Sequence, residues 1–193
     1  MPYINYKEIK RGLRKKSRLG RRELSDAEKQ ELDRKIYDNI MRLRQYKACN
    51  TIFAYVSTGT EVDTKAVIKK AFLDGKRVAV PRCTDEKGRM VFHYITSLDE
   101  LRPGSFSVDE PSESAPVAVG NDSCFMLVPA FVIDKKGYRI GYGKGYYDRY
   151  IPGFSGQTVG LCYSSEFVNS VPHGKFDQSV DVIVTDAGIK SVK

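Results

Sequence analysis

The run from Asp134 to Tyr150, DKKGYRIGYGKGYYDRY, concentrates the residue types that can do chemistry. Gly137, Gly141, Gly143 and Gly145 are interleaved with Lys135, Lys136, Arg139 and Lys144 and with Tyr138, Tyr142, Tyr146 and Tyr147, and Asp148 follows. Closely spaced glycines let successive backbone N–H groups turn toward one anion. A helix opening directly after them adds the positive end of its dipole. Arg139 can hold phosphate oxygens through two parallel donors, Lys144 adds a point charge, and Asp148 offers the hard oxygen that suits Mg2+. The spacing is not that of a Walker loop, because Gly145 stands where Ser or Thr should follow Gly143-Lys144. Nor is it a dinucleotide loop, because Tyr146 fills the third glycine position. On composition two readings stand: a phosphate cradle, or a glycine-kinked aromatic turn packed on the core.

The elements that must position this segment follow from periodicity. Ile9 and Leu13, four apart among cations, predict a short basic helix over residues 4–19. Ser25-Asp-Ala-Glu28 is a capping box, and Leu32, Ile36, Ile40 and Leu43 continue it as a helix to about Tyr46. Val67, Ile68, Ala71 and Phe72 predict a second amphipathic helix from near Asp63, stopped at Gly75. Short apolar runs at 51–56, 77–80, 125–128, 158–162 and 180–184 read as buried strands, two of them closed by Pro81 and Pro129. Residues 90–95 alternate and read as an edge strand, and residues 97–123 read mostly as loop with a helical turn near 98–101. Apolar strands separated by helices predict an α/β fold: one domain over 1–193, with a mostly parallel central sheet between two helical layers.

Composition narrows the function classes. A chain of 193 residues buries roughly 70% of its unfolded surface, so neither disulfide nor metal is required for stability. The longest apolar stretches, such as Cys124 to Ile133, are too short to span a bilayer, and no apolar segment follows the basic N-terminus as in a secretory signal. Cys49, Cys83, Cys124 and Cys162 are scattered, so reduced thiols and a cytoplasmic protein are expected. Residues 1–22 hold nine cations and one acid, a net +8, whereas the remaining 171 residues hold 23 of each sign. A neutral body with one cationic arm argues against a nucleic-acid coat, and neither a nucleic-acid nor a membrane partner is expected. Lys10 and Arg14 share one helix face. Lys15, Lys16, Arg18, Arg21 and Arg22 read as a solvated face, and His93 and His173 as structural or surface residues.

The segment also resembles a known signature. Pro129-Ala-Phe-Val-Ile-Asp134, then Gly137-x-Arg139-Ile-Gly-Tyr-Gly-Lys-Gly-Tyr-Tyr-Asp-Arg149, is similar to that of the 5-formyltetrahydrofolate cyclo-ligase family. Lys10-Arg-Gly-Leu-Arg14, Glu61-Val-Asp-Thr64 and Gly75-Lys-Arg-Val-Ala-Val-Pro81 resemble three further motifs of that family, in order. The resemblance implies a ligase that uses ATP and Mg2+ to convert 5-formyltetrahydrofolate to 5,10-methenyltetrahydrofolate, through a phosphorylated formyl group attacked by N10, and a monomer is expected. It implies that Lys10, Arg14 and the loop Arg139, Ile140, Gly141, Tyr142, Gly143, Lys144, Gly145, Tyr146 and Tyr147 bind ATP. Arg139, Lys144 and Tyr146 would be catalytic. Val56 and Glu61 would contact folate, with Tyr142 to Tyr146 forming a wall shared by both substrates. Asp148 and Asp181 would hold the metal.

Overall fold

The computed structural model describes residues 5–84, 86, 88–105 and 108–192. Along the chain run α1 (Tyr6–Glu23), α2 (Asp26–Arg42), α3 (Arg44–Ala48), β1 (Thr51–Phe53), α4 (Lys65–Leu73), β2 (Arg77–Cys83) and β3 (Met90–Ile95). Then come β4 (Arg102–Pro103), β5 (Asp109–Glu110), β6 (Cys124–Pro129), β7 (Val132–Asp134), β8 (Arg139–Ile140) and α5 (Tyr146–Tyr150). The chain closes with β9 (Gln157–Leu161), β10 (Phe167–Val168), β11 (Val182–Thr185) and β12 (Gly188–Ser191). No helix among the described residues is long and apolar enough to cross a membrane.

Local chemistry accounts for most boundaries. Asn5 caps α1 by accepting from the Glu8 N–H. The helix then runs to Glu23, past the expected end at 19, and the expected start at residue 4 lies outside the described residues. Ser25 and Glu28 complete the capping box of α2. The single helix expected up to Tyr46 is two, because Leu43 adopts extended backbone between α2 and α3. Pro81 does not close β2: it pairs with Phe92, whose carbonyl turns away to the Ala118 N–H. The 81–92 pair is therefore a non-hydrogen-bonded one, in which a missing N–H costs nothing.

Seven strands form one sheet in the order β12-β11-β9-β6-β1-β2-β3. The five inner strands are parallel, and antiparallel β12 and β3 close the edges. Strand alternation splits the apolar residues between two clusters. Phe125 and Leu127 of β6 join Ile52, Val78, Val80 and Val159 under α2 and α4, where Ile36, Ile40, Val67 and Ile68 pack. Met126 and Val128 face the other way, joining Phe53, Ala79, Phe92 and Ile183 beneath α5 and its flanking aromatics. Burial on both faces is why these strands read as continuous apolar runs. Each of the fully buried Ile and Phe side chains contributes about 1.5–3 kcal/mol of hydrophobic stabilisation.

A second sheet, β10-β7-β8, lies beyond the end of β6. With Leu13 of α1 it encloses a third cluster of Phe131, Val132, Ile140 and Val171. The basic helix is thereby laid across the carboxyl ends of the parallel strands, where open α/β sheets place their ligands. All four cysteines are free; Cys49, Cys124 and Cys162 are buried and Cys83 is half-buried.

Candidate active site

The glycine segment leaves the second sheet at Ile140, crosses Gly141 to Gly145, and enters α5 at Tyr146. Gly143 and Gly145 take φ of +88° and +75°, in the left-handed region that suits glycine. Both are also crowded. A Cβ on Gly143 would lie 3.0 Å from an Arg14 guanidinium nitrogen, and one on Gly145 would lie 2.6 Å from Arg149 Nη1. Arg14 Nε donates to the Gly141 carbonyl at 2.7 Å. The expected contact between the Lys10–Arg14 face and the glycine loop is thus made by Arg14 directly.

Two further cations near the loop, Lys10 and Arg139, are held by the 174–178 turn. Lys10 Nζ pairs with Asp177 at 2.6 Å. Burial alone would raise the Asp177 carboxyl, but the Lys10 ammonium and the Gly174 N–H hold it below the usual range. Arg139, nearly buried, donates through Nη1 to Asp148 Oδ1 at 3.1 Å and to the Gln178 carbonyl at 2.8 Å. Gln178 N–H also donates to Asp148 Oδ1. Asp181 lies three positions on, where its Oδ2 accepts from the N–H and hydroxyl of Thr158 at 2.9 and 2.7 Å.

On the opposite wall Glu61 is buried, and its Oε2 accepts from the N–H and hydroxyl of Thr58, each at 2.9 Å. The Tyr142 phenol is pushed up to about 12 by burial and by the Glu61 carboxylate it faces. The Tyr142 ring rests on Phe131 with centroids 4.7 Å apart, and the Arg18 guanidinium lies over both rings. Arg21, Tyr55, Glu61, Phe131, Gly141 and Tyr142 enclose a small cavity. Glu61 also borders an open groove of about 580 Å³ running along Lys29, Asp33, Tyr37 and Thr58.

Several expected residues sit differently from their neighbours in the loop. Ile140 is a core residue, its side chain inside the third cluster and its carbonyl bonded to the Phe131 N–H. Val56 is buried in the main cluster beside Val62. Lys144 is exposed, and its carbonyl accepts from Arg149. The Tyr146 phenol is pushed up to about 12 by partial burial and by its hydrogen bond with the Cys83 thiol. Tyr147 packs on the same sheet cluster as Tyr146, its ring centre 5.8 Å from the Arg139 guanidinium. His93 is structural, bonding the Ala115 carbonyl through Nδ1, and His173 stacks on Tyr138.

Arg21 overturns its expected place on a solvated face. It is buried and pairs with Glu166, while Nη2 donates to the Ala130 carbonyl at 2.6 Å and Nη1 to the Thr60 carbonyl at 3.3 Å. The signal lay in helical phase: Lys10, Arg14, Ser17 and Arg21 recur at steps of four, three and four on one face. Glu166, Asp177 and Gln178 carried no local signal at all.

The 5-formyltetrahydrofolate cyclo-ligase family model matches residues 6–186. The mouse 5-formyltetrahydrofolate cyclo-ligase is 28% identical over 198 residues, covering 95% of this chain and 97% of its own. The NMR structure of the Aquifex aeolicus 5,10-methenyltetrahydrofolate synthetase is 30% identical, with a TM-score of 0.83 over 96% of this chain and 93% of that one. A Mycoplasma pneumoniae 5,10-methenyltetrahydrofolate synthetase structure is 25% identical, with a TM-score of 0.73 over 92% and 98%. Sequence, fold and the motif-bearing loop agree over nearly the whole length, and the chain belongs to the 5-formyltetrahydrofolate cyclo-ligase family.

Proposed function

We propose that this protein closes 5-formyltetrahydrofolate to 5,10-methenyltetrahydrofolate at the expense of ATP, releasing ADP and phosphate. The observation that carries the reading is the meeting of two unlike walls around Gly141 to Gly145. One wall gathers Arg14, Arg139 and Lys10 beside the glycine loop. The other offers Glu61 as an acceptor and the exposed Tyr142 ring as an aromatic face for a flat heterocycle with N–H donors, beside the open groove that Glu61 borders.

In the proposed reaction Lys10, Arg14, Arg139 and Lys144 hold the triphosphate, and Glu61 with Tyr142 orients the pterin, while Val56 backs that wall from the core. The formyl oxygen on N5 attacks the γ-phosphorus as its bond to ADP breaks. N10 then attacks the activated carbon, loses its proton, and phosphate departs with the former formyl oxygen. The protein acts mainly through position and charge, since the bonds are made between the two substrates. Tyr146 opens α5 directly after the glycine loop, its phenol kept protonated by partial burial and the Cys83 thiol.

A Mg2+ arriving with the nucleotide would be held by Asp148 and Asp181. Among the described residues no group of three or more His, Cys, Asp or Glu could cage a metal. Two carboxylates plus substrate phosphates and water are the usual Mg2+ donor set. When bound, the ion supplies neutralising charge to the β- and γ-phosphates. The deciding experiment mixes purified protein with 5-formyltetrahydrofolate, ATP and Mg2+ and follows the near-ultraviolet absorbance of the methenyl product; absence of product over the accessible pH range overturns the reading.

A further inference from the structure

Lys10, Arg14 and Arg21 share one face of α1, yet they serve different parts of the site. Lys10 reaches the 174–178 turn and Arg14 the glycine loop, both on the nucleotide wall. The hydrogen bonds of Arg21 end elsewhere: on Glu166, on the Ala130 carbonyl at 2.6 Å and on the Thr60 carbonyl at 3.3 Å. Its guanidinium carbon also lies 5.2 Å from the Phe131 ring centre. Thr60 directly precedes Glu61, and Phe131 carries the Tyr142 ring, with centroids 4.7 Å apart. We infer that Arg21 is a positioning residue for folate: it fixes Glu61 through the Thr60 carbonyl and Tyr142 through Phe131. The inference rests on the proposed folate chemistry and adds to it a residue that acts without touching the substrate.

Burial and shape separate this role from direct binding. Arg21 is 4% exposed, and the cavity it shares with Glu61 and Tyr142 is about 10 Å³, room for one water at most. The place requires a guanidinium fork. Glu166 takes Nε and Nη2 side by side, while the two carbonyls accept from Nη1 and Nη2; a lysine ammonium offers only a point charge on a flexible stem. Glu166 balances the charge in this dry position and is itself anchored, accepting from the Ser17 hydroxyl and the Tyr163 N–H. The Glu61 carboxylate is held within its own turn by Thr58, and Arg21 ties that turn to α1.

Arg21→Lys tests this, because it keeps the charge that balances Glu166 and loses the fork. Below the melting transition of the variant, a roughly tenfold higher KM and Kd for 5-formyltetrahydrofolate is expected, equivalent to about 1.4 kcal/mol, with the KM for ATP unchanged. Calorimetric binding of 5-formyltetrahydrofolate without ATP gives the Kd independently of turnover. Because Arg21 acts through Glu61, the loss of folate affinity in Arg21→Lys/Glu61→Gln should be smaller than the product of the two single losses. A folate KM and Kd that do not rise, whatever the Tm, a rise in the KM for ATP of equal or larger size, or fully multiplicative losses in the double variant each overturns the inference. Should Arg21→Lys fail to fold, Arg21→Leu/Glu166→Gln removes both buried charges and carries the same comparison of KM values. A wild-type protein that neither binds nor turns over the folate sinks the functional reading instead.

Discussion

Arg21 and Glu166, 145 positions apart, meet in a bidentate pair, Nε to Oε1 at 2.8 Å and Nη2 to Oε2 at 2.6 Å, almost sealed from water. The pair fastens three loops at the carboxyl ends of the sheet. Arg21 holds the carbonyls of Thr60, next to Glu61, and of Ala130, beyond β6; Glu166 accepts from Ser17 of α1 and from the Tyr163 N–H after β9. The floor beside Glu61 is therefore set by a residue on the basic arm.

Removing one partner strands the other charge in a dry site. Arg21→Leu is expected to lower the unfolding free energy by about 3–5 kcal/mol. The double variant Arg21→Leu/Glu166→Gln should recover part of that loss, because it removes both charges while the new side-chain amide oxygen still accepts from Ser17. Urea denaturation of the two variants measures the difference; equal destabilisation contradicts a charge-burial origin.

Gly143 and Gly141 should respond differently to a methyl group. Gly143 combines φ of +88° with an Arg14 guanidinium at the Cβ position, whereas a Cβ on Gly141 meets nothing within 4 Å. Gly143→Ala is expected to cost about 1–2 kcal/mol of backbone strain and to raise the KM for ATP by displacing Arg14. Gly141→Ala should leave the melting temperature unchanged. A thermal scan of both proteins checks the contrast.

Metal dependence gives a third test. Chelation with EDTA should abolish turnover, and Mg2+ should restore it. Asp148→Asn keeps an Oδ1 acceptor for Arg139 and Gln178, so folding should persist, while the half-saturating Mg2+ concentration rises by about 10–100-fold, the scale of a disturbed metal site. A wild-type Mg2+ titration curve in this variant removes Asp148 from the metal site.

The Lys10–Asp177 pair predicts a pH dependence. The Asp177 carboxyl is held below its usual range, so the folded state binds its proton less readily than the unfolded chain. The resulting stability is present above the ordinary carboxylate value of about 3.9 and is lost as pH falls through the lower folded value. Asp177→Asn should therefore be less stable than wild type at pH 6, and the gap should close toward pH 2. Parallel stability curves for the two proteins refute the assignment.

The sequence by itself determined the local devices and the family. The Ser25–Glu28 capping box, the apolar runs of the sheet, the shared face of Lys10 and Arg14, and the 134–149 signature are all encoded over short distances, where backbone sterics and helical or strand period act directly. Tertiary structure alone decided the pairings. Arg21 meets Glu166, Tyr142 meets Glu61, and Gln178 bridges Arg139 to Asp148, across 145, 81 and 39 or 30 positions. Each depends on which strand ends become neighbours, and the order β9-β6-β1 brings the 166, 130 and 60 segments together at the carboxyl end of the sheet. Charge and period describe a residue's own surroundings along the chain; they do not specify which distant loop the sheet order places against it. That is why the basic arm read as mostly solvated, and why its Arg21 proved to be a buried tie beside the site.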